Sequence, residues 1–86
     1  MANSAQAAKR ARQGEKRRKH NASRRSLMRT RIKQVIESVE NSDKTTAESA
    51  FGHAQVVLDR MAGSKMIHKN KAARHKSRLR AKIKAI

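Results

Sequence analysis

Between Ala2 and Ser26 there is not one large apolar side chain; alanine is the only hydrocarbon residue in the stretch. More than a quarter of the chain therefore has nothing to bury, and any core must come from residues 27–86. A polypeptide of 86 residues holds one domain. Its surface is large for its volume, so that core is small. The expectation is a single helical domain over residues 1–86, with 1–26 as an arm and 27–86 as the packed bundle.

Apolar spacing in the second part has the period of helices. Met28, Ile32, Val35, Ile36 and Val39 fall at i, i+4, i+7, i+8 and i+11, which is one helical face. Ala47, Ala50, Phe51, Ala54, Val57, Leu58 and Met61 form a second stripe. Ala72, Leu79, Ile83 and Ile86 form a third, narrow one that Lys76 interrupts. Met28, Met61 and Met66 lie on or beside these stripes and fill the core. The polar Asn41-Ser42-Asp43 separates the first two stripes as a turn. Thr45 followed by Glu48 fits a capping box opening the second helix. Gly63 suits the left-handed position that ends it, and Asn70 or Ser64 would open the third.

The chain has no Pro and three Gly, so little punctuates these helices, and no segment alternates with period two. The arm consists of helix formers. The first helix is therefore predicted over about residues 4–39, on the order of 50 Å at 1.5 Å per residue. Gly14 is its weak point, by roughly 1 kcal/mol against Ala. The fold class that results is all-α, a three-helix bundle with a long, basic, projecting first helix. Val57→Asp is expected to unfold it by burying an unpaired charge.

Charge is segregated as sharply as apolarity. Lys and Arg number 23 against 6 acids, a formal net charge of +17. Residues 1–33 carry +11, residues 34–64 carry −3 and residues 65–86 carry +9. Such an excess repels itself within a small body, and a polyanionic partner turns that repulsion into attraction. An anionic membrane would require an apolar face opposite the charge, which residues 2–26 lack. No apolar run approaches the roughly 18 residues of a membrane span, and the N-terminus has no apolar signal segment. The greasy face of an organellar transit peptide is missing as well. Nucleic acid remains, and the expected location is cytoplasmic.

Other chemistries have no constellation to rest on. Without Cys there is no disulfide framework, thiolate site or sulfur nucleophile. His68 and His75 are seven apart but have no third ligand at a metal spacing, and His53 sits in the neutral middle as a packing or surface residue. The acids cluster centrally with no nucleophile or Gly-rich loop. Neither enzymatic activity, a small-molecule substrate, a metal nor a cofactor is expected. A single aromatic residue, Phe51, makes no base-stacking platform of the sheet-fold kind.

The candidate contacts are therefore cations. Through the arm and just beyond it, Lys9, Arg10, Arg12, Lys16, Arg17, Arg18, Lys19, Arg24, Arg25, Arg29 and Arg31 span six turns, and the charges from Lys9 to Arg25 point in nearly every direction of a helical wheel. A helix resting on one duplex needs charge on one side only, so this arm suits insertion among the phosphates of a folded RNA. Arg outnumbers Lys by eight to four in residues 1–33, and its planar fork favours bidentate phosphate contacts. In the C-terminal block, Lys71, Arg74, Arg78 and Lys82 share one face while Ala72 and Leu79 lie on another. Asn21, Ser23 and Asn70 add neutral donors for phosphate or ribose oxygens, although Asn70 equally suits a cap.

Two stretches carry a resemblance. Lys19-His20-Asn21-Ala22-Ser23-Arg24-Arg25-Ser26 and Ile67-His68-Lys69-Asn70-Lys71-Ala72-Ala73-Arg74-His75-Lys76 closely resemble the bacterial small-subunit ribosomal protein twenty family, as do the opening Met1-Ala2-Asn3, the Ala/Lys/Arg arm and the Gly63 turn. The likeness covers essentially the whole chain. It implies a three-helix bundle with a long first helix and a structural role in the small subunit. It also implies direct binding to 16S ribosomal RNA, mainly its 5′ domain, beside neighbouring small-subunit components. By the same resemblance Lys19, His20, Asn21, Ser23, Arg24 and Arg25 face RNA, as do His68, Lys69, Asn70, Lys71, Arg74, His75 and Lys76. Homo-oligomers are not expected. A DNA-compacting, histone-like protein is the rival, but it would bring β-arms or a wider apolar interface for dimerisation. Without RNA the arm is expected to fray, because nothing packs on it and like charges such as Arg25 and Arg29 repel at i, i+4.

Overall fold

The computed structural model describes residues 2–86, with side chains from Ser4 onward, so the Met1-Ala2-Asn3 opening lies outside the described side chains. Three helices account for it: α1 (Ala2–Glu40), α2 (Lys44–Gly63) and α3 (Lys69–Lys84), with no strand among the described residues. Helix α1 runs through Gly14 without a break, so the weak point is absorbed by its neighbours' propensity. The molecule measures 64 × 22 × 14 Å, with a radius of gyration of 17.7 Å. A globular chain of this length would have about 12 Å, and the difference is the projecting arm.

The helices pack up-down-up through two layers. One joins Val35 of α1, Ala47, Phe51 and Ala54 of α2, and Leu79 and Ile83 of α3. The other joins Met28, Leu58, Met61, Ile67 and Ala72, and Ile32 touches both layers. Every one of these except Ile32 is buried, with Val35, Ala47 and Leu58 fully so. The three stripes read from spacing thus meet as one core. Val57, however, is half-buried, and Leu58 is the residue sealed inside. Ser38, the one buried polar residue among those described, satisfies its hydroxyl on the Gln34 carbonyl at 2.9 Å.

The helix ends correct three expectations. Helix α1 closes with bonds from Ser42 N–H to the Val39 carbonyl and from Asp43 N–H to the Ser38 carbonyl, around a left-handed Ser42 (φ 55°). Helix α2 closes the same way, from Lys65 N–H to Ala62 and from Met66 N–H to Met61, around Lys65 (φ 62°). Both are Schellman turns. The left-handed position is therefore Lys65 and not Gly63, which ends α2 with negative φ. Nor does the Thr45–Glu48 box open α2. Asp43 caps it instead, accepting from Thr46 N–H at 3.1 Å and from the Thr46 hydroxyl at 2.6 Å. These bonds favour the ionised carboxylate and hold the Asp43 pKa below its ordinary value. Helix α3 starts from neither Ser64 nor Asn70: His68 is its cap, its Nδ1 accepting from Asn70 N–H at 3.0 Å.

A non-glycine residue in the left-handed region carries steric cost. Ser42→Gly is therefore expected to stabilise the bundle by about 0.5–1 kcal/mol, after allowing for glycine's extra freedom when unfolded. Urea titration followed by circular dichroism would show this as a higher midpoint at unchanged slope. A lower midpoint would mean that Ser42 makes a favourable contact that the backbone geometry does not reveal.

Candidate nucleic-acid interface

The arm offers charge without shelter. From Ser4 to His20 every residue is exposed except half-covered Gly14, so Lys9, Arg10, Arg12, Lys16, Arg17, Arg18 and Lys19 surround the helix with solvated cations. Glu15 is the acid among them and makes no ion pair in the structure. Further along α1, His20, Ser23, Arg25 and Arg29 are exposed, whereas Asn21 and Arg24 are half-buried where the helix meets the bundle.

The second basic segment joins the first at that junction. Because α2 and α3 fold back in turn, the α2–α3 connection and the start of α3 lie at the Met28 end of the bundle. Arg24 donates from Nη2 to the Ser64 hydroxyl at 2.8 Å, clipping the base of the arm to that connection. Ser64 Oγ in turn donates to the Met61 carbonyl at 3.3 Å. Two basic segments some forty residues apart in sequence thus flank one end of the bundle. Ser64 was visible in the sequence only as a possible helix start; nothing in its spacing marks it as the clip.

In the C-terminal segment, His68, Lys69, Asn70, Lys71, Arg74 and Arg78 are exposed, and His75 and Lys76 are half-buried. Capping uses His68 Nδ1, which requires the tautomer with hydrogen on Nε2 and leaves that nitrogen for an outside acceptor. Asn70 contributes its backbone N–H to this cap, and its side chain plays no capping part. Lys76 reaches across to Asp59 at 2.7 Å and pins α3 to α2. This explains why a lysine interrupts the third stripe. Spacing also overlooked Arg80, whose guanidinium lies 5.5 Å from the Phe51 ring centroid and covers it. Continuing the helical wheel from Lys76 by fours would have found Arg80 and Lys84.

His75 lies between the core and three cations. Partial burial is the main reason its pKa falls below the ordinary 6.5, and Lys71, Arg78 and Arg74 lower it further. A folded-state value below the unfolded one means that the contribution to stability is whole above pH 6.5 and is lost as pH falls through the folded value. Melting of the free protein is thus expected to weaken from pH 7.5 to 5, and less so in His75→Gln. Equal weakening in both would remove His75 as the cause. Phosphates laid beside Lys71, Arg74 and Arg78 would act the opposite way and favour its protonation.

Among the described residues no group of His and acids is arranged to hold a metal ion, and no helix is long and apolar enough to cross a membrane. The family model described as Ribosomal protein S20 matches residues 2–84. The chain belongs to the ribosomal protein S20 family. Curated relatives from Shewanella sp. (strain ANA-3), Shewanella oneidensis and Shewanella baltica (strain OS155) are each named "Small ribosomal subunit protein bS20". Each is 62% identical over 86 residues, covering 100% of this chain and 98% of the relative. The S20 family consists of ribosomal structural proteins and not of enzymes, and the long first helix and three-helix bundle accord with the likeness read from the two motifs.

Proposed function

We propose that the chain is a structural component of the small ribosomal subunit that binds 16S ribosomal RNA directly, in its 5′ domain, and stabilises its folded form through backbone phosphates. Family membership supports the ribosomal part of this reading. The observation that carries the RNA contact is the clip from Arg24 to Ser64, because it holds both basic segments at one end of the bundle. RNA of one tertiary fold can then engage the two together, with the bundle of residues 27–86 as a handle and the arm of residues 1–26 as an electrostatic clamp. Lys9 to Lys19, Arg25 and Arg29 supply the arm's phosphate contacts, and Lys69, Lys71, Arg74 and Arg78 supply those of α3. The bacterial cytoplasm is the corresponding location, with neighbouring subunit components around a single copy.

Binding of the purified protein to a 16S 5′-domain transcript, in competition with transfer RNA and duplex DNA over a salt series, tests this. A preference for the transcript that survives physiological salt is expected. Equal affinities that collapse together would reduce the interaction to unspecific charge. The same complexes should also gain helical circular dichroism relative to their separate parts, since phosphates relieve the repulsion along the part of the arm before its clipped base, residues 4–19, where nothing packs on the helix. Strictly additive spectra would mean that the arm is already fully helical when free.

A further inference from the structure

A notch of about 200 Å³ opens where α1 enters the bundle, between His20, Arg24 and Leu27 on one side and Val57, Arg60 and Met61 on the other. Its make-up differs from the rest of the basic surface. Leu27 is 44% exposed, and with Val56 it is one of two exposed large apolar side chains among the described residues. Val56 stands apart from the notch, but Leu27 forms its wall at the foot of an arm that otherwise has none. Met61, 1% exposed, and half-buried Val57 make the floor hydrocarbon. The remaining three lining residues are nitrogen-rich planes, and no carboxylate joins them. One of those planes is held in place, because the Arg24 guanidinium is tied to Ser64 at 2.8 Å.

We propose that this notch receives an unpaired nucleobase of the bound RNA, a reading that rests on the RNA-binding function above. An apolar floor with cationic planes at the rim suits a flat, partly apolar group attached to a phosphate chain. Extruded bases stack on histidine and arginine planes as they do on aromatic rings. The chain's one aromatic ring cannot serve, since Phe51 is 7% exposed and lies under Arg80. Position agrees with composition, because the notch sits at the junction where the two basic segments converge and a strand tracking either would pass it. Arg60, the only cation of α2 after Lys44, gains a role here that charge counting did not suggest.

A base seated on Leu27 makes an apolar contact that releases no counterion, whereas a phosphate contact changes the salt dependence. Leu27→Ala is therefore expected to weaken binding to the 16S 5′-domain transcript roughly ten-fold at every salt concentration, with an unchanged slope. Leu27→Met should restore most of the affinity. Melting curves of both free variants check the fold, which truncation of a half-exposed side chain leaves standing. Methylation probing of the transcript supplies the second reading: one unpaired adenine or cytosine should be protected by the wild-type protein and reactive again with Leu27→Ala. Wild-type affinity in Leu27→Ala, a loss that vanishes as salt rises, or the absence of any base whose protection depends on Leu27 would overturn the proposal. Failure of the parent reading looks different, since the wild-type protein itself would then show no preference for the transcript.

Discussion

Leu58→Asp is expected to abolish the cooperative melting of the free protein. Leu58 of α2 is fully enclosed by α1, the α2–α3 connection and α3, in a cluster with Met28, Met61, Ile67 and Ala72. Truncating such a leucine to alanine costs about 2.7–5 kcal/mol through lost transfer energy and the cavity left behind. A single core of this size rarely supplies more than about 3–5 kcal/mol in all. Leu58→Ala alone therefore brings the bundle to the edge of unfolding, and an aspartate there adds a buried charge with no partner. The neighbouring Val57→Asp is the control. Val57 is half-buried and lines an open notch, so the carboxylate of an aspartate placed there can stay wet beside Arg60. It is expected to melt cooperatively at a lowered temperature, unlike the expectation from stripe position alone. Thermal scans at 222 nm of the three variants decide it. A cooperative transition in Leu58→Asp close to wild type would contradict the packing described here.

The contrast between Val57 and Leu58 shows how far the sequence could be read. Period 3.6 identified which residues face inward, because burying a helix requires one apolar side. It left the deepest residue undecided between adjacent stripe members, since depth depends on which neighbouring helix covers each. The helix ends were harder. Their left-handed residues, Ser42 and Lys65, are types with no preference for that region, and they occupy it because the Schellman hydrogen bonds demand it. Gly63 drew the prediction two residues too early for the same reason. His68 caps α3 with an imidazole nitrogen in the role usually taken by a carboxylate or hydroxyl oxygen, which residue preferences do not mark. Thr45 and Glu48 offered a formally better box than Asp43 and Thr46, and the chain uses the latter because Asp43 also closes the turn before it. Within the candidate site, each basic segment was legible by charge. Their convergence was not, since it arises from up-down-up packing and a hydrogen bond between residues 40 positions apart.

That clip also determines which arginines should be replaced to measure the arm's contribution. Arg24 is half-buried and bound to Ser64, so removing it would disturb geometry and charge together. Arg17, Arg18, Arg25 and Arg29 are exposed and bonded to no other side chain in the structure, so their replacement by alanine removes charge and little else. At a net of about 0.7 kcal/mol per lost phosphate contact, the fourfold variant should bind the 16S 5′-domain transcript about a hundred-fold more weakly at physiological salt. The slope of log affinity against log salt should flatten by about three to four units, one for each phosphate no longer neutralised. Stability of the free protein should be unchanged or slightly raised, because like-charge repulsion between Arg25 and Arg29 is relieved and alanine favours the helix. Arg24→Ala is expected to separate from this pattern: a slope change of one unit at most, but loss of the advantage that the transcript holds over transfer RNA, since the two basic segments are no longer held together. Were Arg24→Ala to behave as a fifth equivalent charge, the arm and the bundle would be acting as independent cations on a common polyanion, and the clip would have no part in recognition.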